Sequence, residues 1–196
     1  MRRIWPGTPA HFRQVSENGM TPHGNADLET RTGHRFLVRP VTDRDEPALA
    51  EFFTHVTPED LRFRFLTGLA VVGHDRLAAM IRVDHHQSET FLAFGDDGTT
   101  VIAAAMLACD AALQVGEVAI SIRSDYKQRG ISWALLAHVA RYAEARGVQT
   151  LQSIESYANH AAIELEREMG FTARPYPGDS TLVLVERKLP LAAAAI

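Results

Sequence analysis

From residue 35 onwards, the pattern of apolar and polar positions divides the chain into short segments, some typical of strands and others of helices. Strand-like apolar runs occupy residues 35–40, 90–95, 101–109, 117–122, 149–155 and 181–189. Helical spacing of apolar positions marks residues 42–53, 57–66, 77–81, 131–146 and 158–169. The order is β-α-α-α-β-β-β-α-β-α-β, which predicts a mixed α/β fold.

Local residues support several of these boundaries. Thr57 can cap a helix whose first position is Pro58, and Gly147 and Gly170 are expected to end the last two helices. The turn-forming run at residues 96–99 predicts an antiparallel hairpin between the strands on either side of it.

The first 32 residues lack this periodicity and are rich in Gly, Pro, His, Asn and Thr. We therefore expect residues 1–32 to form a flexible or irregular extension and residues 33–196 to form one domain. With 196 residues and 46% hydrophobic content, the chain can bury one sizeable core.

Charge and cysteine content narrow the class of protein. The net charge of −4 favours neither nucleic acid nor an anionic membrane as the main partner. Residues 2–7 lead into no apolar segment typical of a signal peptide, and we expect a cytoplasmic protein. Cys109, the only cysteine, excludes an internal disulfide and is expected to be buried packing. His85 and His86 beside Asp84 are expected to form a solvated loop, and no metal site is predicted.

The most informative segment covers residues 117–136, where a strand leads through a basic turn into a helix. Backbone N–H groups at the start of such a helix, with the positive end of its dipole, suit a pyrophosphate. Lys127 and Arg129 would add mobile positive charge around it. The alternative is an ordinary strand-to-helix connection with a solvated loop.

A second segment, residues 159–171, lies one helix and one strand downstream. Together the two segments resemble the acetyl-CoA-binding motifs of the GNAT family of N-acetyltransferases. The loop motif Arg/Gln-x-x-Gly-x-Gly/Ala is matched by residues 127–132, with Lys127 and Ser132 as departures. The resemblance covers residues 35–189 and is nearest to the catalytic domain of Pat-type protein lysine acetyltransferases.

This resemblance implies a GNAT fold, in which a mostly antiparallel sheet flanked by helices splays at the cofactor site. It also implies acetyl-CoA as co-substrate. Ile120 and Ile122 would offer main-chain groups to the pantetheine arm, and Asn159 would bind that arm or cap the last helix. The phosphate cradle would consist of Lys127, Gln128, Arg129, Gly130, Ile131, Ser132 and Trp133.

The resemblance also assigns a general base. A lysine amine is protonated at neutral pH, so acyl transfer to it needs a nearby base, and Glu117 matches the glutamate of Pat-like enzymes. The alternative is an edge-strand carboxylate that faces solvent. Glu166 stands where many family members carry the tyrosine that protonates the leaving thiolate. We expect Glu166 to be ionised and therefore unable to donate that proton.

The acceptor remains open between a protein lysine and a small-molecule amine. A third hypothesis is a non-catalytic sensor that binds acyl-CoA, because Ser132 and Glu166 both differ from the residues that are usual in active family members. Arg62 and Arg64 are either outward charges of an amphipathic helix or residues that recognise anions. Many GNAT domains form homodimers, and the sequence leaves the oligomeric state open.

Overall fold

One eight-stranded sheet organises residues 24–68 and 71–190, which are the residues described in the computed structural model. The strands are β1 (Ala26–Glu29), β2 (Arg35–Pro40), β3 (Ser88–Phe94), β4 (Val101–Cys109), β5 (Val115–Ile122), β6 (Thr150–Ser156), β7 (Thr172–Pro175) and β8 (Leu182–Lys188). The helices are α1 (Glu46–Thr54), α2 (Pro58–Phe65), α3 (His74–Ile81), α4 (Ile131–Ala145) and α5 (His160–Glu168).

The predicted order of elements is confirmed, with two additional short strands. β7 was not predicted, and β1 lies inside the stretch 1–32 that was expected to be irregular. That expectation is wrong for Ala26–Glu29, because these residues pair with Arg35–Val38 of β2 and bury Ala26 and Leu28. Residues 1–23 of the expected extension lie outside the described residues.

The strands follow the spatial order β1-β2-β3-β4-β5-β6-β8-β7. Neighbouring strands run antiparallel throughout this sheet except for β5 and β6, which are parallel. A parallel pair requires a crossover connection, and α4 supplies it. The mixed, mostly antiparallel sheet matches the fold class expected from the sequence.

Helices cover both faces of the sheet and bury a core on each. On one face α4 and α5 pack over a core that includes Phe91, Leu107, Val118, Leu135, Val139, Leu151, Ile163 and Val185. On the other face α1, α2 and α3 pack over a core that includes Leu49, Phe52, Leu61, Leu77, Leu92 and Val101. We call these the α4/α5 face and the α1–α3 face.

The start of α2 shows how local sequence sets an element. Thr57 adopts an extended backbone, its hydroxyl oxygen accepts the N–H of Asp60 at 3.2 Å, and Pro58 occupies the first turn. The predicted cap is therefore present, and it directs α2 across the α1–α3 face toward β5. None of the helices in the described ranges is both long and apolar enough to span a bilayer.

Candidate active site

The two parallel strands separate soon after they meet. Val115–Glu117 of β5 pair with Thr150–Gln152 of β6, but β5 continues to Ile122 and β6 to Ser156. Beyond the paired residues each strand keeps its other neighbour, β4 or β8. A gap therefore opens within the sheet, and we call it the splay. Its closed end lies at the pair Glu117 and Gln152.

Glu117 is exposed at this closed end. Alternate residues of a strand point to the same face, so the Glu117 side chain shares a face with Ala119 and Ser121. These two residues line a small niche together with Arg64 of α2, which places them on the α1–α3 face. Glu117 therefore faces α2 and not the α4/α5 core.

Arg64 brings a positive charge close to both strands of the splay. Its Nη2 lies 3.5 Å from the sulfur of Met106 on β4. Burial lowers the pKa of the Arg64 guanidinium, while the negative charges of Glu117 and Glu155 oppose that shift. An arginine keeps its charge at any working pH. Of the two arginines considered from the sequence, Arg64 is partly buried beside the splay and Arg62 is exposed.

The loop after β5 presents backbone N–H groups at the start of α4. Gln128 and Gly130 both have positive φ, 60° and 78°, and Gly130 is the residue before the first helical turn. The first N–H groups of a helix lack an intrahelical acceptor. Ile131, Ser132 and Trp133 supply these groups at the start of α4, and their use as a phosphate cradle stays a prediction.

The turn between β1 and β2 packs against this loop. The hydroxyl of Thr32 donates to the carbonyl of Arg129 at 3.2 Å, and a Cβ on Gly130 would lie 3.2 Å from Cβ of Thr30. The guanidinium of Arg31 lies 3.8 Å from the centroid of the Trp133 ring. Sequence reasoning missed this contact, because the turn belongs to the stretch expected to be irregular.

The two loop cations are less free than expected. Nζ of Lys127 forms an ion pair with Asp60 of α2 at 2.6 Å. Nη2 of Arg129 donates to the carbonyl of Asp125 at 2.8 Å, and its guanidinium stacks over Tyr126. Both side chains therefore have partners in this structure, and their role as charges around a phosphate stays a prediction.

Asn159 lies at the start of α5, but its side chain does not cap the helix. Its Nδ2 instead donates to Oε2 of Glu155 at 2.7 Å. Burial raises the pKa of Glu155 to about 7, against the opposing effects of Asn159 and Arg64. Sequence reasoning missed Glu155. β6 has only Leu151 and Ile154 as apolar residues, so no local sequence signal indicated that Glu155 would be buried.

Glu166 differs most from expectation. Its side chain is only 5% exposed, and Oε1 accepts the hydroxyl proton of Ser153 at 2.6 Å. Burial, assisted by the negative charge of Glu155, raises the pKa of Glu166 to about 8. Glu166 is therefore mainly protonated at neutral pH, and the expectation of an ionised carboxylate is wrong.

Other residues considered from the sequence lie away from the splay. Cys109 is partly buried at the end of β4, where burial raises the pKa of its thiol. The Asp84 carboxylate accepts three backbone N–H groups of its own loop, and His85 pairs with the buried Glu89. Within the described residues no cluster of His, Cys, Asp and Glu has the composition of a metal site.

The arrangement suits an extended ligand that carries a phosphate. The β6-side edge of β5 beyond Glu117, which includes Ile120 and Ile122, pairs with no strand among the described residues, so an extended group can bond to it. The side chains of Ile120 and Ile122 pack against the α4/α5 core. The same edge leads to the N–H groups at the start of α4, which suit a phosphate.

Comparison with known proteins agrees with this arrangement. The sequence profile of the Acetyltransferase (GNAT) family matches residues 50–171. Acetyltransferase PA5475 of Pseudomonas aeruginosa is 27% identical over 154 residues, which cover 78% of this chain and 83% of that protein.

Two solved structures illustrate the likeness of the fold. The GNAT domain of S. lividans PAT superposes with a TM-score of 0.79 at 24% identity, over 85% of this chain and 98% of that one. Spermidine N-acetyltransferase from Vibrio cholerae, in complex with CoA and spermine, superposes with a TM-score of 0.64 at 13% identity, over 78% of this chain and 95% of that one. The family profile extends over more than half of the chain and includes β5, the loop, α4 and α5, so this protein belongs to the GNAT family of acetyltransferases, enzymes that use an acyl-CoA co-substrate.

Proposed function

We propose that this enzyme transfers an acetyl group from acetyl-CoA to a primary amine, with a protein lysine as the acceptor and Glu117 as general base. The observation that carries the proposal is the position of Glu117, exposed at the closed end of the splay on the α1–α3 face. A location in the cytoplasm is part of the same proposal.

Different residues of the chain would bind different parts of acetyl-CoA. The N–H groups of Ile131, Ser132 and Trp133 would hold the phosphates, and the open edge of β5 near Ile120 and Ile122 would orient the pantetheine arm. Lys127, Gln128, Arg129 and Gly130 would shape the loop around the phosphates, and Asn159 would lie beside the arm. Acetyl-CoA supplies the activated acetyl group.

Glu117 would prepare the acceptor. An alkyl ammonium has a pKa of about 10.4 and cannot attack a carbonyl until it loses a proton. The Glu117 carboxylate would accept that proton directly or through one water molecule. The guanidinium of Arg64 lies close enough to Glu117 for the two charges to attract.

The preference for a protein lysine rests on two points. The sequence resembles Pat-type protein lysine acetyltransferases, and the structure resembles the GNAT domain of S. lividans PAT. Glu117 is also exposed, so a long side chain presented on a protein surface could reach it. A small amine would instead be expected to occupy a concave site that buries most of its surface.

The test is an acetylation assay with acetyl-CoA and two kinds of acceptor, a lysine-containing protein panel and spermidine. Glu117→Gln is expected to lower kcat by about 100-fold or more while acetyl-CoA binding, measured by calorimetry, stays unchanged. Glu168→Gln, on the exposed side of α5, is the matched control and should retain full activity.

The possible results distinguish between the hypotheses for the function of this protein. Full activity of Glu117→Gln at neutral pH would remove Glu117 from the mechanism. Turnover of spermidine but of no protein would reassign the acceptor. Acetyl-CoA binding without transfer to any amine would identify a sensor in place of an enzyme.

A further inference from the structure

Two arginines lie against one aromatic ring on the α1–α3 face, and the mechanism above assigns neither of them a role. The Cζ atom of Arg64 on α2 lies 5.0 Å from the centroid of the Phe65 ring. The Cζ atom of Arg76 on α3 lies 5.1 Å from the same centroid. The Phe65 ring is partly buried, with its centroid 6.0 Å from that of Phe53 in the core of this face. Two helices thus bring two positive charges to one ring.

These two guanidiniums lack an acidic partner. Within residues 24–68 and 71–190, no carboxylate forms an ion pair with Arg64 or Arg76, and the side-chain hydrogen bond of Arg64 goes to the sulfur of Met106. Several other basic side chains near α1 and α2 do pair with carboxylates, namely Arg39, Arg62, Arg123 and Lys127. Two arginines side by side without a counter-charge are typical of a site that binds an anion.

The strand register places Arg64 close to the proposed base. Met106, its sulfur contact, pairs with Ala119 of β5. Ala119 follows Glu117 by two residues and points to the same face, a spacing of about 7 Å along a strand. Arg64 and Ala119 also line the same small niche. A molecule whose amine meets Glu117 would therefore have neighbouring groups within reach of Arg64.

The carboxylates nearest in effect do not remove the need for an anion. Glu117 and Glu155 attract the Arg64 guanidinium from beyond ion-pair distance, and the charge of Arg76 opposes them. Glu155 already accepts a hydrogen bond from Asn159 at 2.7 Å. Glu117 would be occupied by the ammonium of the acceptor, which leaves the two arginines without a partner when the acceptor is bound.

The position of the arginines favours the acceptor over the acyl group as the source of the anion. The pantetheine arm would run along the open edge of β5, within the plane of the sheet. Arg64 and Arg76 instead belong to helices that cover the α1–α3 face, to which the Glu117 side chain points. The acceptor amine must reach Glu117, so the acceptor would lie on this face.

Resting on the acetyl transfer proposed above, we propose that Arg64 and Arg76 bind a carboxylate of the acceptor protein, so that the enzyme selects lysines with an aspartate or glutamate close by. The planar fork of a guanidinium matches the two oxygens of a carboxylate. The same two charges repel the additional ammonium groups of a polyamine, which disfavours spermidine as acceptor. The acceptor is thus an acidic segment of a protein that carries a lysine.

The first test measures binding and needs no turnover. Two peptides are compared by calorimetry in the presence of CoA. One has a glutamate two positions before and two positions after a single lysine, and the other has glutamine at both positions. The wild type should bind the acidic peptide about 10-fold more tightly. Equal binding of the two peptides by the wild type would overturn the proposal.

Variants of the arginines identify the groups responsible for this preference. Arg76→Gln changes an exposed position and is expected to fold, and both it and Arg64→Gln should lose most of the preference for the acidic peptide. Arg62→Gln is the matched control, because Arg62 lies on the same helix but faces Glu59 at 3.6 Å. It should keep the preference. A preference that survives in Arg64→Gln and Arg76→Gln would refute the assignment.

The second test follows acetyl transfer to the same two peptides. Arg64→Gln and Arg76→Gln should raise KM for the acidic peptide about 10-fold with a smaller change in kcat, because the carboxylate contact lies away from the reacting atoms. Arg64→Lys keeps the charge and should retain part of the preference. If Arg64→Gln instead impaired only transfer from succinyl-CoA, the site would belong to a carboxylate of the acyl group and the acceptor role would fall.

Failure of this inference and failure of the proposed function give different results. Transfer to both peptides at equal kcat/KM would contradict the carboxylate site and leave acetyl transfer standing. Arginine-dependent binding of the acidic peptide without transfer to any amine would support the carboxylate site and contradict acetyl transfer.

Discussion

Gly130 offers a quantitative test of how the phosphate loop is held. Its φ of 78° lies in the left-handed region, where a side chain costs about 1–2 kcal/mol. An alanine recovers about 0.4–1 kcal/mol through the less flexible unfolded chain. In addition, its Cβ would lie 3.2 Å from Cβ of Thr30. This contact forces the β1–β2 turn or the loop to shift, and overpacking of this kind costs about 1–3 kcal/mol.

Gly147 at the end of α4 provides the matched control. Its φ is 83°, but no atom lies within 4 Å of a Cβ placed there. We therefore expect Gly147→Ala to lower the free energy of unfolding by about 1 kcal/mol and Gly130→Ala by about 2–3 kcal/mol. Urea denaturation, with midpoints and slopes compared between the variants, measures both changes. Equal losses in the two variants would refute the packing of the β1–β2 turn on the loop.

Three further predictions concern buried polar side chains. Tyr142→Phe removes the hydroxyl that donates to the buried Glu89 carboxylate at 3.0 Å, and urea denaturation should show a loss of about 1–3 kcal/mol. Burial raises the pKa of Glu166 in the folded state to about 8, so its contribution to stability is fully present below about pH 4.5 and is lost as pH rises through 8. Between these pH values the thermal midpoint of Glu166→Gln should therefore fall less than that of the wild type. Burial lowers the pKa of His138 to about 4, so the folded state loses stability as pH falls below 6.5. The thermal midpoint of His138→Leu should therefore fall less than that of the wild type below pH 6.5. An equal fall in both proteins would contradict this assignment.

Local sequence predicted most of the fold because several elements have unambiguous boundaries. Thr57 and Pro58 start α2, and Gly147 ends α4 with positive φ, as their residue types indicate. By contrast, β1 and β7 have only four residues each. A four-residue strand has too few positions to establish a period, and its stability comes from pairing with a neighbour that lies elsewhere in the sequence.

The chemistry of the site was less predictable than its location. The position of Glu117 at the end of the paired segment follows from its place in the strand that leads to the loop. The protonation of Glu166 depends on Ser153 and Glu155, which come from another element, so residue type alone suggested the wrong charge. The ion pair between Lys127 and Asp60 likewise joins residues far apart in the sequence, and no local pattern predicts it.

The short pairing of β5 with β6 has a consequence for the exchange of backbone hydrogens with solvent. Amide groups held in a strand ladder exchange slowly, whereas those without a partner exchange quickly. Beyond Val118 the β6-side edge of β5, as far as Ile122, has no strand partner among the described residues, so amides directed to it are open to water in the free protein. An extended ligand that bonds along this edge protects the same amides, which makes deuterium uptake by this single strand a direct reporter of occupancy, independent of any chemical step.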